Sequence, residues 1–455
     1  MLAPCANRSL RHSRSTTVRR LGSTTGGTEG MSRLCLLIFH RHGDRSPLKG
    51  HTPDEELSPP TNGLDSTLAP GGLRADGDVG VGSQRGAEAS RVAAATAEEF
   101  WRDQLILLED VDRLNALYPL RISPGEAVPP DEVSAPFGCL TSLGLGQLQE
   151  RGRRLRKRYS QYDVTSARVN VFSTNYRRTQ LSAQGFLDGF LEGEGGVPVV
   201  VRPCTEDFLN QWESQGQEMH ECMLSVESDP SFQERESSIG EPLKRRLNNL
   251  DPGLFPLSAG ARFRWMMAAD YFMSARARGL QIRPELDAVG TATIRFLTWR
   301  FSRYYGDKKM IRTMVGPLLA HIVQCAEEDT LTDEEAIGFG NSSVDGSRSV
   351  ISRIVSSSCH DVTTLALLYA MESDLVENED YWPPYGSTIE FAVSKPQQAS
   401  WSGGKGGLKE ALGEEEVRLT VTVDDEPLRS RLFSAERGCI SLSDFKIGVG
   451  DLLPL

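Results

Sequence analysis

The stretch "IFHRHGDRSPLKG" (residues 38–50) closes an apolar run that begins at Leu34, and it sets two histidines, an aspartate and two arginines just beyond that run. An unbroken run such as residues 34–39 fits a strand buried on both faces, the kind found inside a largely parallel sheet. In α/β folds ligands bind at the carboxyl ends of such strands, so the polar residues after Phe39 stand where chemistry is expected. Two chemistries compete for them. His40-Arg41-His42-Gly43-Asp44 has the HxHxD outline of a metal-hydrolase ligand set. Arg41-His42-Gly43-x-Arg45-x-Pro47 outlines a phosphate pocket around a nucleophilic histidine.

The metal reading finds little support elsewhere in the chain. A hydrolytic metal site needs further histidine or carboxylate ligands. The seven histidines lie at 12, 40, 42, 51, 220, 321 and 360, with no HExxH and no second HxH. Arg45, directly after Asp44, carries a fixed positive charge that opposes a nearby dication.

The phosphate reading draws on two more strand ends. "RVNVFST" (168–174) reads as a strand followed by Arg177-Arg178 and a helix over 180–191. "SRIVSSSCHDVTTLALLYAM" (352–371) reads as a second strand-to-helix junction and delivers His360-Asp361. Guanidinium groups match phosphoryl oxygens bidentately and stabilise a negative in-line transition state. A histidine among arginines is held neutral, and so nucleophilic, into mild acid. Asp361 beside a bound phosphate dianion is expected to have its pKa raised, which suits a proton donor to the leaving oxygen.

The organisation around these motifs is that of an α/β protein. At 455 residues one large domain with an inserted subdomain is as reasonable as two domains. Hydrophobic residues make up 39% of the chain, and no apolar run approaches the length of a membrane-spanning helix. A net charge of −12 argues against nucleic acid as the main partner. Eight cysteines at 5, 35, 139, 204, 222, 325, 359 and 439 include no CxxC pair, and read as scattered free thiols. Residues 1–30 hold arginines 8, 11, 14, 19 and 20 among many Ser and Thr, with Glu29 their only acid: the composition of an organelle transit segment or a disordered tail. Residues 51–135 read as a long irregular insertion with one helix near 92–108. "LTSLGLGQLQERGRRLRKRY" (140–159) predicts a helix capped by Thr141 or Ser142, with Leu145, Leu148, Leu155 and Tyr159 on one face and a solvated basic cluster over 151–158. Residues 205–310 read as a mainly helical insertion. "KKMIRTMVGPLLAHIVQ" (308–324) reads as a helix broken or kinked at Gly316-Pro317, and "STIEFAVSK" (387–395) and "EVRLTVTV" (416–423) as a hairpin across a long loop. Two Asn-x-Ser sequons start at Asn7 and Asn341, and matter only in a secreted chain.

Taken together, these motifs resemble the histidine acid phosphatases. "RHGDRSP" fits the family's RHGxRxP signature and "SCHDVTT" its HD motif. "WPPYGSTIEF", "LTSLGLGQLQERGRRLRKRY" and "FSTNYRRTQLSAQ" are similar to its other characteristic segments, and the likeness runs over most of residues 33–395 and into "GCISLSDF". Within the family, "RSPLKG", "STN", "MVGPLLAHI", "CHDVT" and "WPPY" look most like the lysophosphatidic acid phosphatase branch. RHGD also resembles the branch acting on phosphoxylose in glycans, and phytase-like members share the core motifs.

The resemblance implies a phosphoglycerate-mutase-like three-layer α/β/α sandwich with a mainly helical cap over 205–310. The core would be built from 31–204 and 311–455. It implies metal-independent hydrolysis of a phosphomonoester, with lysophosphatidate or a similar small molecule as substrate and no cofactor. A phosphotransferase or mutase, and a phosphate-binding relative without activity, are the rival functions. By the same resemblance His42 is the nucleophile and Asp361 the proton donor, and Arg41, Arg45, Arg178 and His360 bind phosphate. Arg177 stands at a position often acidic in relatives, which leaves it a contact at the mouth or with solvent. His40 and Asp44 become scaffold. Members of the lysophosphatidic branch are mitochondrial, which agrees with the arginine-rich start.

Overall fold

The computed structural model describes residues 33–48, 98–122, 129–162, 164–257, 262–331, 350–395, 416–433 and 438–454. The expectations on residues 1–30, the two sequons and the loop between the C-terminal strands lie outside these residues.

The apolar run is a strand, β1 (Arg33–Arg41), at the centre of the sheet. It continues two residues past the run, so that His40 and Arg41 belong to it. Four more strands complete the parallel half: β2 (Leu120–Ile122), β3 (Val169–Ser173), β4 (Val199–Val201) and β5 (Val350–Cys359). On the other flank come β6 (Thr388–Lys395), β7 (Arg418–Val423), β8 (Glu426–Pro427) and β9 (Cys439–Ser441). The order is β2-β4-β3-β5-β1-β6-β7-β8, with β9 on β7. β1 runs parallel to β5, His40 opposite Ser358 and Arg41 opposite Cys359, and antiparallel to β6. The expected C-terminal hairpin is the antiparallel β6–β7 pair, with Ile389 opposite Val423.

Strand side chains alternate between faces. Leu34, Leu36 and Ile38 join one buried cluster, and Cys35, Leu37 and Phe39 the other. The first lies beneath α1 (Ser142–Arg158) and α2 (Arg177–Phe190). The second faces α3 (Trp265–Ala277), α4 (Pro284–Gly306), α5 (Lys308–Leu331) and α6 (Asp361–Ala370). Helices on both faces of a central sheet make the three layers. Thr141 caps α1 by accepting from the Gly144 N–H, and Leu145, Leu148 and Leu155 are buried as the periodicity predicts. α1 and α2 touch backbone to backbone: a Cβ on Gly152 would stand 2.2 Å from the Phe186 carbonyl oxygen. Among the described residues the 205–310 segment is mostly helical, α3 and α4 being its longest helices with α5 following directly.

Three expectations need correction or sharpening. α5 runs unbroken through Pro317, because buried Met314, Val315, Leu318 and Leu319 hold the turns on either side. Gly316 admits the Leu452 carbonyl, which a Cβ would meet at 2.6 Å. In the described part of 51–135 the helix expected near 92–108 is present at 98–104, and the segment adds helix Leu108–Leu117 and the edge strand β2, too short to show an alternating pattern. The basic cluster of α1 is only partly solvated. Arg151 bonds Asp424 and Asp425, and Arg158 grips buried Glu390 at 2.9 Å, while Arg153 and Arg154 stay exposed with Glu150. In line with the expectation, Cys139, Cys222, Cys359 and Cys439 are free thiols. Among the described residues no helix is long and apolar enough to cross a membrane.

Candidate active site

Three strands deliver the candidate residues to one place. β1 ends in Arg41-His42, with Gly43 against the start of α1: a Cβ on Gly43 would lie 2.3 Å from the Gly144 carbonyl oxygen. The first turn of α2, just after β3, supplies Arg178, and the β5–α6 junction supplies His360 and Asp361. His42, Arg45, Arg178, His360 and Asp361 all line one cavity of about 650 Å³. Arg41 sits one layer deeper, 1% exposed, and reaches the site through Asp361.

Hydrogen bonding sets the state of His42. Its Nδ1 lies 2.9 Å from the Gly43 carbonyl oxygen, which can only accept, so Nδ1 carries the proton and Nε2 keeps its lone pair. Burial, with Arg178, Arg45, Arg41 and His360 adding to it, holds the ring well below the ordinary histidine range. His360 stands ring to ring with His42 at 5.7 Å and is depressed likewise, by burial and then by Arg178. The Nε2 of His360 meets the Thr174 hydroxyl at 3.1 Å. Tyr176 lies edge-on to His360 and places its ring face 4.1 Å from the Arg178 guanidinium.

Asp361 opens α6, where a carboxylate is favoured by the helix dipole. It accepts from the Val362 N–H at 2.9 Å and the Trp382 indole at 3.0 Å, and pairs with Arg41 at 2.8 Å. Burial pushes its carboxyl up, but Arg41, then Arg45, the Trp382 bond and His360, outweigh it and hold the group below its ordinary value. In this resting pocket the shift is therefore opposite to the rise expected beside a phosphate dianion.

Each arginine has its own buried carboxylate. Arg45 is gripped by Asp270 of α3, at 2.6 and 3.1 Å. Arg178 is faced by Asp131, which also accepts the backbone N–H groups of Arg177 and Arg178 at 2.7 and 2.8 Å and so caps α2. Arg177 turns to Asn115 and Glu132, and is not among the residues lining the cavity.

The HxHxD residues diverge. His40 stacks on Phe186 at 5.1 Å in the sheet interior, and Asp44 accepts from Thr141 and Arg278. Among the described residues no group of three metal-binding side chains clusters anywhere. Sequence reasoning passed over Asp131, Asp270, Trp382 and Tyr385. The last two lie in the quoted "WPPY", where Tyr385 stacks on Arg41 at 4.0 Å and flanks His42 at 5.8 Å. A lone Asp within an insertion offered no signal for the other two.

The chain matches the histidine phosphatase superfamily (branch 2) over residues 34–401. It belongs to that family. Prostatic acid phosphatase from Homo sapiens is 26% identical over 171 residues, 33% of this chain and 41% of that protein. The Bos taurus protein of the same name is 29% identical over 145 residues, 28% of this chain and 34% of that one. The match thus spans less than half of these curated relatives. Among solved structures, the multiple inositol polyphosphate phosphatase of Bifidobacterium longum in complex with inositol hexasulfate aligns with a TM-score of 0.52 at 12% identity, over 95% of each chain. The Hafnia alvei phytase in complex with tartrate aligns at 0.51 and 13% identity, over 94% of this chain and 98% of that one. At such identities the likeness is one of fold. In this histidine phosphatase the three strand ends carry Arg41-His42, Arg178 and His360-Asp361.

Proposed function

We propose that the protein is a metal-independent phosphatase that hydrolyses phosphomonoesters through a phosphohistidine at His42. The observation that carries this reading is a neutral histidine with a free Nε2 facing a cavity floored by Arg45, Arg178, His360 and Asp361. In the first step the Nε2 lone pair attacks phosphorus while the ester P–O bond breaks. The departing oxygen takes its proton from Asp361. In the second step water attacks the phosphohistidine, Asp361 accepts the water's proton, the P–N bond breaks and inorganic phosphate leaves. Arg41, Arg45, Arg178 and His360 hold the phosphoryl oxygens. The charge of a phosphate dianion beside Asp361 favours the protonated acid that the first step needs.

The substrate favoured by the cavity is a small lipid phosphomonoester such as lysophosphatidate. Above the charged floor the walls are Met266, Met267, Phe263, Leu297 and Phe301, surfaces suited to an acyl chain. The wall cation Arg300 is bound by Glu227 and Glu236, and Arg262 by Glu227. The third wall arginine is Arg264, and the larger share of the wall is apolar, which favours an acyl chain over a polyphosphorylated inositol ring. A panel of lysophosphatidate, inositol hexakisphosphate, phosphotyrosine and sugar phosphates tests this. The highest kcat/KM is expected on lysophosphatidate, and preference for inositol hexakisphosphate would overturn the assignment. By the composition of residues 1–30 we place the enzyme in mitochondria, which fluorescent fusions with and without that segment would test.

A further inference from the structure

The counter-charges of the three arginines have different origins. Arg41 and Arg178 are paired by Asp361 and Asp131, from the core and its neighbouring segment. Arg45 takes its partner, Asp270, from the helical insertion. We infer that Asp270 is a positioning residue for phosphate recognition, through which the cap holds Arg45 in its binding orientation. The inference rests on the phosphate-pocket reading above.

The geometry is specific. Asp270 is 1% exposed and accepts three hydrogen bonds: from Arg45 NH2 at 2.6 Å, from Arg45 NH1 at 3.1 Å, and from the Leu48 backbone N–H at 2.8 Å. The other NH1 hydrogen goes to the Ser46 carbonyl at 3.0 Å. Both ends of the RSPL turn are therefore tied to one carboxylate. The Arg45 Nε is buried without a partner. With the NH1/NH2 edge occupied, the Nε/NH2 edge is the remaining bidentate donor pair, the geometry that fits two phosphoryl oxygens.

α3 offers more than one point of attachment. Asp270, Ser274 and Arg278 are four residues apart, so they lie along one stripe of the helix. Ser274 meets the Tyr385 hydroxyl at 3.1 Å, and Arg278 donates to Asp44 at 2.9 Å and to Gln104 at 2.7 Å. The stripe seats the insertion on the signature loop from Asp44 to Leu48 and on the tyrosine beside His42. This gives the comparison that separates positioning from docking. Arg278 seats the same helix without touching an arginine of the pocket.

The test is phosphate and vanadate binding to the purified full chain, by calorimetry and by competitive inhibition of aryl-phosphate hydrolysis. Thermal unfolding is followed alongside. Asp270→Asn is expected to weaken phosphate binding and raise KM by about tenfold, with a smaller change in kcat. Arg278→Gln is expected to lower Tm while changing phosphate affinity by less than about twofold. Because Asp270 acts through Arg45, adding Asp270→Asn to Arg45→Lys should weaken phosphate binding little beyond Arg45→Lys alone. Three results would overturn the inference: unchanged affinity in Asp270→Asn, tighter binding there (Asp270 then only damps the Arg45 charge), or full additivity with Arg45→Lys. If the wild-type chain binds neither anion, it is the phosphatase reading itself that fails.

Discussion

The floor and the roof of the cavity are built on opposite principles. The floor is buried and polar: the charges of Arg45, Arg178 and Asp361 around His42 and His360, whose rings are held neutral, all delivered by strand ends and fixed by hydrogen bonds. The roof is largely apolar, and two of its three arginines, Arg262 and Arg300, are paired with glutamates. Charge in a desolvated floor is effective because little solvent screens it. An apolar roof discriminates more weakly, by the area of substrate it removes from water. On the proposed function, chemistry belongs to the floor and substrate choice to the roof, with Asp270 joining the two.

Variants of the floor should be the most damaging. His42→Ala is expected to lower kcat on an aryl phosphate by about 10⁴-fold or more, because the nucleophile itself is gone. A smaller loss would assign the attack to another group. Asp361→Asn should cost about 10²- to 10⁴-fold in kcat on alkyl phosphates, which have poor leaving groups. The loss should be milder on nitrophenyl phosphate, whose leaving group needs no proton, and equal losses on both would contradict the proton-donor role. EDTA treatment should leave turnover unchanged, and zinc-restorable loss would instead revive a metal centre. A roof variant such as Met266→Glu should lower kcat/KM on lysophosphatidate by about tenfold and on a short aryl phosphate by less than about twofold. An equal effect on both substrates would erase the division between floor and roof.

A residue outside both regions serves as the control. His40, two positions from His42, is lowered to about 4, mainly by burial, with Arg151 adding and a backbone hydrogen bond at Arg41 opposing. Its folded pKa lies below the unfolded value of 6.5, so the unfolded chain binds the proton first. Stability is therefore full above pH 6.5 and falls as pH drops towards 4. At pH 5 the loss from this one group is about 2 kcal/mol. His40→Phe should remove that part of the acid sensitivity, seen in denaturant unfolding at pH 7 and pH 5, with no change in kcat/KM. An unaltered pH dependence would place the acid sensitivity elsewhere.

Much of the floor was legible because its residues are short motifs at strand ends, where periodicity and chemistry coincide. The unbroken run 34–39 marked the central strand, and RHGDRSP and SCHDVTT marked its ligand end. Asp270 and Asp131 could not be found this way. Each is one acid in a helical or irregular segment, brought to its arginine by tertiary packing across 225 residues in the case of Asp270 and 47 in that of Asp131. Pro317 misled for the opposite reason. Its local preference against a helix is real, but buried neighbours on both sides outweigh it. The basic run of α1 looked solvated because its partners, Glu390, Asp424 and Asp425, come from the far C-terminal strands.

The central claim is that His42 carries the phosphoryl group between ester and water. Acid- or denaturant-quenched samples taken during turnover of an aryl phosphate, digested and analysed by mass spectrometry under conditions that preserve phosphohistidine, test it directly. The account predicts one phosphoryl group on the peptide containing His42, absent from His42→Ala and accumulating in Asp361→Asn if hydrolysis of the intermediate is slowed most. Phosphoryl label on another residue, or turnover without any covalent intermediate, would contradict it.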